Sequence, residues 1–205
     1  MLELESYQLH QRETIQLLED KPMRMKLHHT EYISRRIARD LATCEVVEVR
    51  KTKEEIAAEI EKILDADIEK EHELDEKVAD ILEDQEENIE FYNADYRQLF
   101  WLTKKRMAND FGVILNNEDR FSDIAHQVLD YLWEEDYIHY TCSDNQVKNV
   151  IFTSIDEFLK GFEESDTAVI EKLKHYKRKL IPGTDEYDIV YHRLYEEELI
   201  KRGLM

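Results

Sequence analysis

The sequence predicts an all-α protein of two tandem helical units, each with one short β-strand, and three observations predict it. Apolar residues recur at intervals of three and four along almost the whole chain, the period of a helix with one buried face. Only 4 Gly and 2 Pro occur among 205 residues, too few for the tight turns of a β-sandwich or barrel. Shifted by 91 positions, the chain also lines up with itself without a gap, so that Ile33 falls on Ile124 and Gly112 on Gly203.

Residues 1–22 carry the stripe Leu4, Tyr7, Ile15 and Leu18 and are expected to form a helical extension belonging to neither unit. Met23 and Met25 stand where the first unit begins. Ile33, Ile37 and Leu41 mark its first helix. Val46–Val49 breaks the rhythm with β-branched residues and reads as a short strand. Thr52-Lys-Glu-Glu55 fits a capping box, in which a hydroxyl and a carboxylate satisfy reciprocal backbone N–H groups, and opens a helix through Ile56, Ile60, Leu64 and Ile68. Val78, Leu82 and Ile89 predict a third helix. Tyr96, Leu99 and Phe100 predict a fourth, stopped by Gly112 after Lys104-Lys105-Arg106.

The second unit repeats this order. Ile124, Val128 and Leu132 give a helix, and Tyr137–Tyr140 a strand. Ser143-Asp-Asn-Gln146 gives a capping box before Val147, Ile151, Ile155 and Leu159, and Val169, Leu173 and Leu180 give the next helix. Pro182-Gly183 forces a turn. Thr184 then caps a last helix carrying Tyr187, Val190, Tyr191 and Leu194 that ends at Lys201, Arg202 and Gly203. A lone short strand is unstable, so each needs a partner.

Under the 91-residue shift Thr52 falls on Ser143, Asn93 on Thr184 and Tyr96 on Tyr187. The expected organisation is an extension over 1–22 and repeats over 23–112 and 113–205, packed as an internal pseudo-dimer. Charge diverges between the repeats. Glu83, Asp84, Glu86 and Glu87 fall on Lys174, His175, Lys177 and Arg178, while Lys105 and Arg106 fall on Glu196 and Glu197. A two-fold contact sets like against like, so opposite signs on equivalent faces are expected across the interface between the repeats.

The runs Met25–Leu41, Asp95–Ala108 and Pro182–Gly203 resemble the bacterial domain-of-unknown-function family 507, over about residues 23–205. That resemblance implies a helical, cytoplasmic bacterial protein and implies no catalytic residues.

Charge bears directly on function. The formal net charge is −20, with −11 in residues 1–112 and −9 in 113–205. Phosphate binding requires a positive surface, so the balance argues against free nucleic acid as the main ligand. No apolar run is long enough to span a membrane, the N-terminus carries no secretory pattern, and two isolated cysteines, Cys44 and Cys142, fit small packing residues in a reducing cytoplasm.

Residues 54–90 hold 17 acids and 3 bases. Such a run is a solvated helix face or a dock for a basic partner, and the aromatics Phe91, Tyr92, Tyr96, Phe100 and Trp101 just beyond it are core residues or, if exposed, a hot spot beside an acidic rim. Asp188, His192 and Glu196 share one helix face, and Glu69-x-x-His72 matches half of a di-iron carboxylate motif. The shifted positions are Lys160 and Glu163, so the second half of that motif is missing. His28-His29 is expected at the surface.

No Gly-rich phosphate loop or nucleophile elbow occurs. Basic clusters at Arg35, Arg36 and Arg39 and at Lys172, Lys174, Lys177, Arg178 and Lys179 keep a nucleic-acid-associated regulator as the alternative, with a metal-dependent enzyme using the Asp188 face as a third. The reading preferred is an acidic cytoplasmic interaction or adaptor protein that binds a partner of basic surface, with no catalytic, cofactor or metal residues.

Overall fold

A computed structural model describes residues 25–85, 95–176, 178, 180 and 184–204. The extension expected over 1–22, together with Met23, Ile89 and Asn93, lies outside the described residues. The elements in order are α1 (Leu27–Thr43), β1 (Val47–Val49), α2 (Lys53–Glu83), α3 (Tyr96–Met107), a 3-10 turn (Ala108–Phe111), α4 (Asn117–Glu134), β2 (Ile138–Tyr140), α5 (Asp144–Lys174) and α6 (Asp185–Arg202).

Among the described residues, three helices stand in each half of the chain where four were expected. The second and third are one continuous helix of 31 residues, α2 in the first repeat and α5 in the second. No Pro or Gly interrupts α2, and its buried stripe runs on from Ile56, Ile60 and Leu64 through Glu71, Leu74, Val78 and Leu82. In α5, Gly161 sits mid-helix because a Cβ there would lie 2.9 Å from Leu204, which closes over it.

Local signals set most of the ends. The Thr52 hydroxyl accepts the Glu55 N–H, and the Glu55 carboxylate accepts the Thr52 N–H at 2.9 Å. Thr184 caps α6 by accepting the Tyr187 N–H. Asp95, rather than a residue aligned with Thr184, caps α3 by accepting from Arg97 and Gln98. Gly112 and Gly203 adopt φ of +64° and +68°, the left-handed stop that a Cβ disfavours.

The two strands pair with each other, antiparallel, in the register Val47↔Tyr140, Glu48↔His139 and Val49↔Ile138. The ladder is therefore centred on the Glu48–His139 pair, whose members are 91 positions apart. Helix α1 packs on α2 and α5, and α4 packs on α5 and α2, while α3 lies on α2 and α6 on α5. A central core joins Ile33, Ile37 and Leu41, Ile56, Ile60 and Leu64, Ile124, Val128 and Leu132, and Val147, Ile151 and Ile155. A second, smaller core holds the outer half of α2 against α3 through Leu74, Val78, Leu82 and Phe100. The outer end of α6 is fixed by Glu198, 3% exposed. It accepts from Lys172 at 2.6 Å and Arg202 at 3.1 Å, and these bonds hold its carboxyl down at about 2.

One expectation reverses at the start of α1. His28 is exposed, but His29 is buried at 6% exposure. Its Nδ1 accepts the Lys26 N–H at 3.2 Å, and its ring packs on Phe162 with centroids 4.4 Å apart. Burial first, and the charges of His28 and Lys26 second, push its pKa down to about 3. Above the ordinary histidine pKa of 6.5 the ring is neutral whether folded or not. Below it the unfolded chain gains a proton that the folded chain refuses, so stability falls as pH drops from 6.5 toward 3. Urea unfolding is expected to show a loss from this residue of about 2 kcal/mol between pH 7 and pH 5. His29→Gln, which retains an acceptor at the same helix position, should remove that part of the pH dependence.

Candidate functional site

Helix α2 divides at its middle. Its first half lies in the central core, and its second half projects with α3 as an outer lobe. Along this half, Glu69, Glu73, Glu76, Asp80 and Glu83 are all exposed and spaced by four and three, so they form one continuous stripe. Lys70 and Lys77 flank it. The positions 91 further on in α5 are Lys160, Glu164, Thr167, Glu171 and Lys174, a balanced face. The stripe is thus confined to α2 and has no counterpart at these positions of α5.

Behind the stripe, α2 turns a second set of carboxylates inward. Lys104 of α3, 2% exposed, reaches Glu71 at 2.7 Å and Asp75 at 2.6 Å. Its Nζ also stands 5.6 Å from the centre of the Trp101 ring. Arg120 of α4, 5% exposed, donates to Asp67 at 2.6 Å and to Glu71. Burial holds the Asp67 carboxyl above its ordinary range despite the opposing pull of Arg120. For Arg120, burial would lower the pKa, but the carboxylates of Asp67 and Glu71 outweigh it and keep the guanidinium charged. Three carboxylates and two cations therefore form a buried ionic layer between the central core and the outer lobe.

Sequence reasoning missed this layer, because Asp67, Glu71 and Asp75 recur at the same interval of four as the exposed Glu69 and Glu73. The aromatics nearby do not form an exposed hot spot. Phe100 is buried, and Tyr96 and Trp101 are half-buried against the outer core, while Phe91 and Tyr92 lie outside the described residues.

The basic clusters are largely neutralised where they stand. Arg35 pairs with Glu31, Arg36 with Asp40 and Glu157, and Arg39 with Asp40. Lys172 pairs with Glu198, Lys174 with Glu171 and Arg178 with Glu186; Lys177 and Lys179 lie outside the described residues. The sign-opposed residues expected between the repeats do not meet. Glu83, Asp84, Lys105, Arg106, Glu196 and Glu197 are exposed, and among the described residues no ion pair joins these faces across the repeats. Lys174 instead bonds within its own helix. Glu86 and Glu87 lie outside the described residues.

Asp188, His192 and Glu196 are exposed on α6, and Glu69 and His72 are exposed on α2. Among the described residues, no three His, Cys, Asp or Glu side chains converge as a metal site would need. A shallow groove between α1 and α5 is lined by Asp40, Asn149, Val150, Thr153, Ser154 and Glu157. Asp40 there accepts from the Ser154 hydroxyl at 2.9 Å and from Arg36 at 3.3 Å.

The family model described as "Protein of unknown function (DUF507)" matches residues 23–204. No curated protein matches the chain.

The ionic layer separates buried from exposed charge in a measurable way. Lys104→Met leaves Glu71 and Asp75 without their shared cation and should cost about 3–5 kcal/mol in urea unfolding. Glu76→Ala on the stripe should change stability by about 0.5 kcal/mol or less.

Proposed function

The chain belongs to the family described as "Protein of unknown function (DUF507)", and from that premise we propose a cytoplasmic interaction or adaptor protein without catalytic activity. It docks a partner of basic surface on the outer half of α2. The observation that carries this reading is the exposed stripe Glu69, Glu73, Glu76, Asp80 and Glu83. Five carboxylates on one helix face set up a local negative potential, which speeds encounter with a basic surface and fixes register against it. The ionic layer and the outer core hold that face rigid from behind, so little ordering is lost on binding. No helix among the described residues is long and apolar enough to cross a membrane. The free thiols of Cys44 and Cys142, half-buried against the central core, favour a reducing compartment. The carboxylate partners of Arg35, Arg36, Arg39, Lys172 and Lys174 support the docking reading over a nucleic-acid one.

The same proposal takes the repeats as copies of one duplicated unit, packed as an internal pseudo-dimer. Three features support it. Displaced by 91, α2 coincides with α5 and β1 with β2 residue for residue, and α1 with α4 to within one residue. The strand register is unchanged when the repeats are exchanged. Packing of α1 on α5 is matched by packing of α4 on α2.

A pull-down tests the docking reading. The wild-type chain should capture basic proteins at low salt and release them as salt is raised, since exposed charge is screened. The E69K/E73K/E76K/D80K variant should fail to capture them. Loss of every partner at low salt, or the same partners on both chains, would count against it.

A further inference from the structure

The two interfaces between the repeats occupy equivalent places but are built from different chemistry. Where α1 meets α5, His29 packs on Phe162, and Phe162 packs on Phe158 with centroids 4.6 Å apart. Where α4 meets α2, the position 91 beyond His29 is Arg120. The positions 91 before Phe158 and Phe162 are Asp67 and Glu71, the residues that Arg120 contacts. Both sides of the contact have changed together. One interface holds an imidazole on the Phe162 ring, which packs in turn on Phe158, and the other a guanidinium on two carboxylates.

From this juxtaposition we infer that the Arg120–Asp67–Glu71 contact makes each repeat accept the other repeat and reject a second copy of itself. The inference rests on the pseudo-dimer reading. Two copies of the second repeat would bury Arg120 against Phe158 and Phe162, a charge with no carboxylate to meet it. Two copies of the first would face Asp67 and Glu71 with His29, whose shorter ring cannot span both. Removing one partner of a buried charge pair is costly, so each mismatch is disfavoured strongly. Matched pairing needs only complementary residues on both sides, and this repulsion of the wrong pairing supplies the selectivity. The opposite signs expected at Glu83 and Lys174 would have acted at the surface, where exposed pairs contribute little. The buried contact acts where charge counts for more.

Both mismatches can be built within the full chain, with no exchange between molecules. His29→Arg recreates the contact of two second repeats. Arg120→His recreates that of two first repeats. Urea unfolding of each is expected to show a fall in the folded-to-unfolded ratio of about 100-fold or more. Restoring a matched set should reverse most of this loss, in H29R/F158D/F162E relative to H29R and in R120H/D67F/E71F/K104Y relative to R120H, where K104Y removes the cation that Glu71 meets. Single exchanges that leave stability unchanged would overturn the inference while leaving the pseudo-dimer reading intact. Single exchanges that destabilise without recovery in either matched variant would overturn both, because the positions would then not be equivalent.

Discussion

One shared core buries apolar faces from both halves of the chain, and the architecture follows from that constraint. The stripe Ile33, Ile37 and Leu41 of α1 and the stripe Ile56, Ile60 and Leu64 of α2 enter one core with Ile124, Val128 and Leu132 of α4 and Val147, Ile151 and Ile155 of α5. These twelve side chains are almost all without solvent contact, and full burial of such a side chain stabilises by about 1.5–3 kcal/mol. The short strands depend on the same constraint. Three residues of strand cannot persist alone, but β1 and β2 are brought edge to edge by the helices they connect. Ladder and core reinforce each other, since a slip of one residue in the strands would turn Val47 and Ile138 out of the core.

Beyond the central core the two halves differ in chemistry at matching positions. In the second, Phe158, Phe162 and Tyr195 extend the apolar interior toward α6. In the first, the equivalent positions are Asp67, Glu71 and Lys104, and with Arg120 they place charge in the interior. A buried ionic layer of this kind adds little net stability over an apolar one, because desolvation offsets most of the attraction. What it provides is geometry, since a guanidinium spanning two carboxylates is satisfied in one arrangement and leaves buried charge in others. The acidic stripe lies on the other side of the same helix segment, so the segment proposed to meet a partner is backed by buried ion pairs.

Among the described residues, the candidate ligands stand apart on helix surfaces. The residues that sequence singled out for metal binding, Asp188, His192, Glu196, Glu69 and His72, share helix faces as their spacing required, yet they point to solvent. A helix face supplies two or three groups at most; further ligands must come from another element. The basic clusters similarly lost their distinctness once folded, because helix neighbours such as Glu31 and Asp40 and distant ones such as Glu157 and Glu198 lie against them.

The sequence by itself determined the helical class, the place of both strands, the caps at Thr52 and Thr184, the stops at Gly112 and Gly203, and the central stripes of α1, α2, α4 and α5. All of these depend on interactions within a few positions along the chain, and a periodic stripe marks a buried face whatever covers it. Only the tertiary structure decided that β1 pairs with β2, that the second and third helices expected in each half are one continuous helix, and that His29 and Arg120 are buried. It also decided that Glu71 and Asp75 face Lys104 while Glu73 and Glu76 face solvent. The carboxylates of α2 look alike in sequence because charge has no periodic signature of burial. Their fates are set by a cation 33 or 49 positions away, as for Glu71 with Lys104 and Arg120, and that distance is closed only by folding.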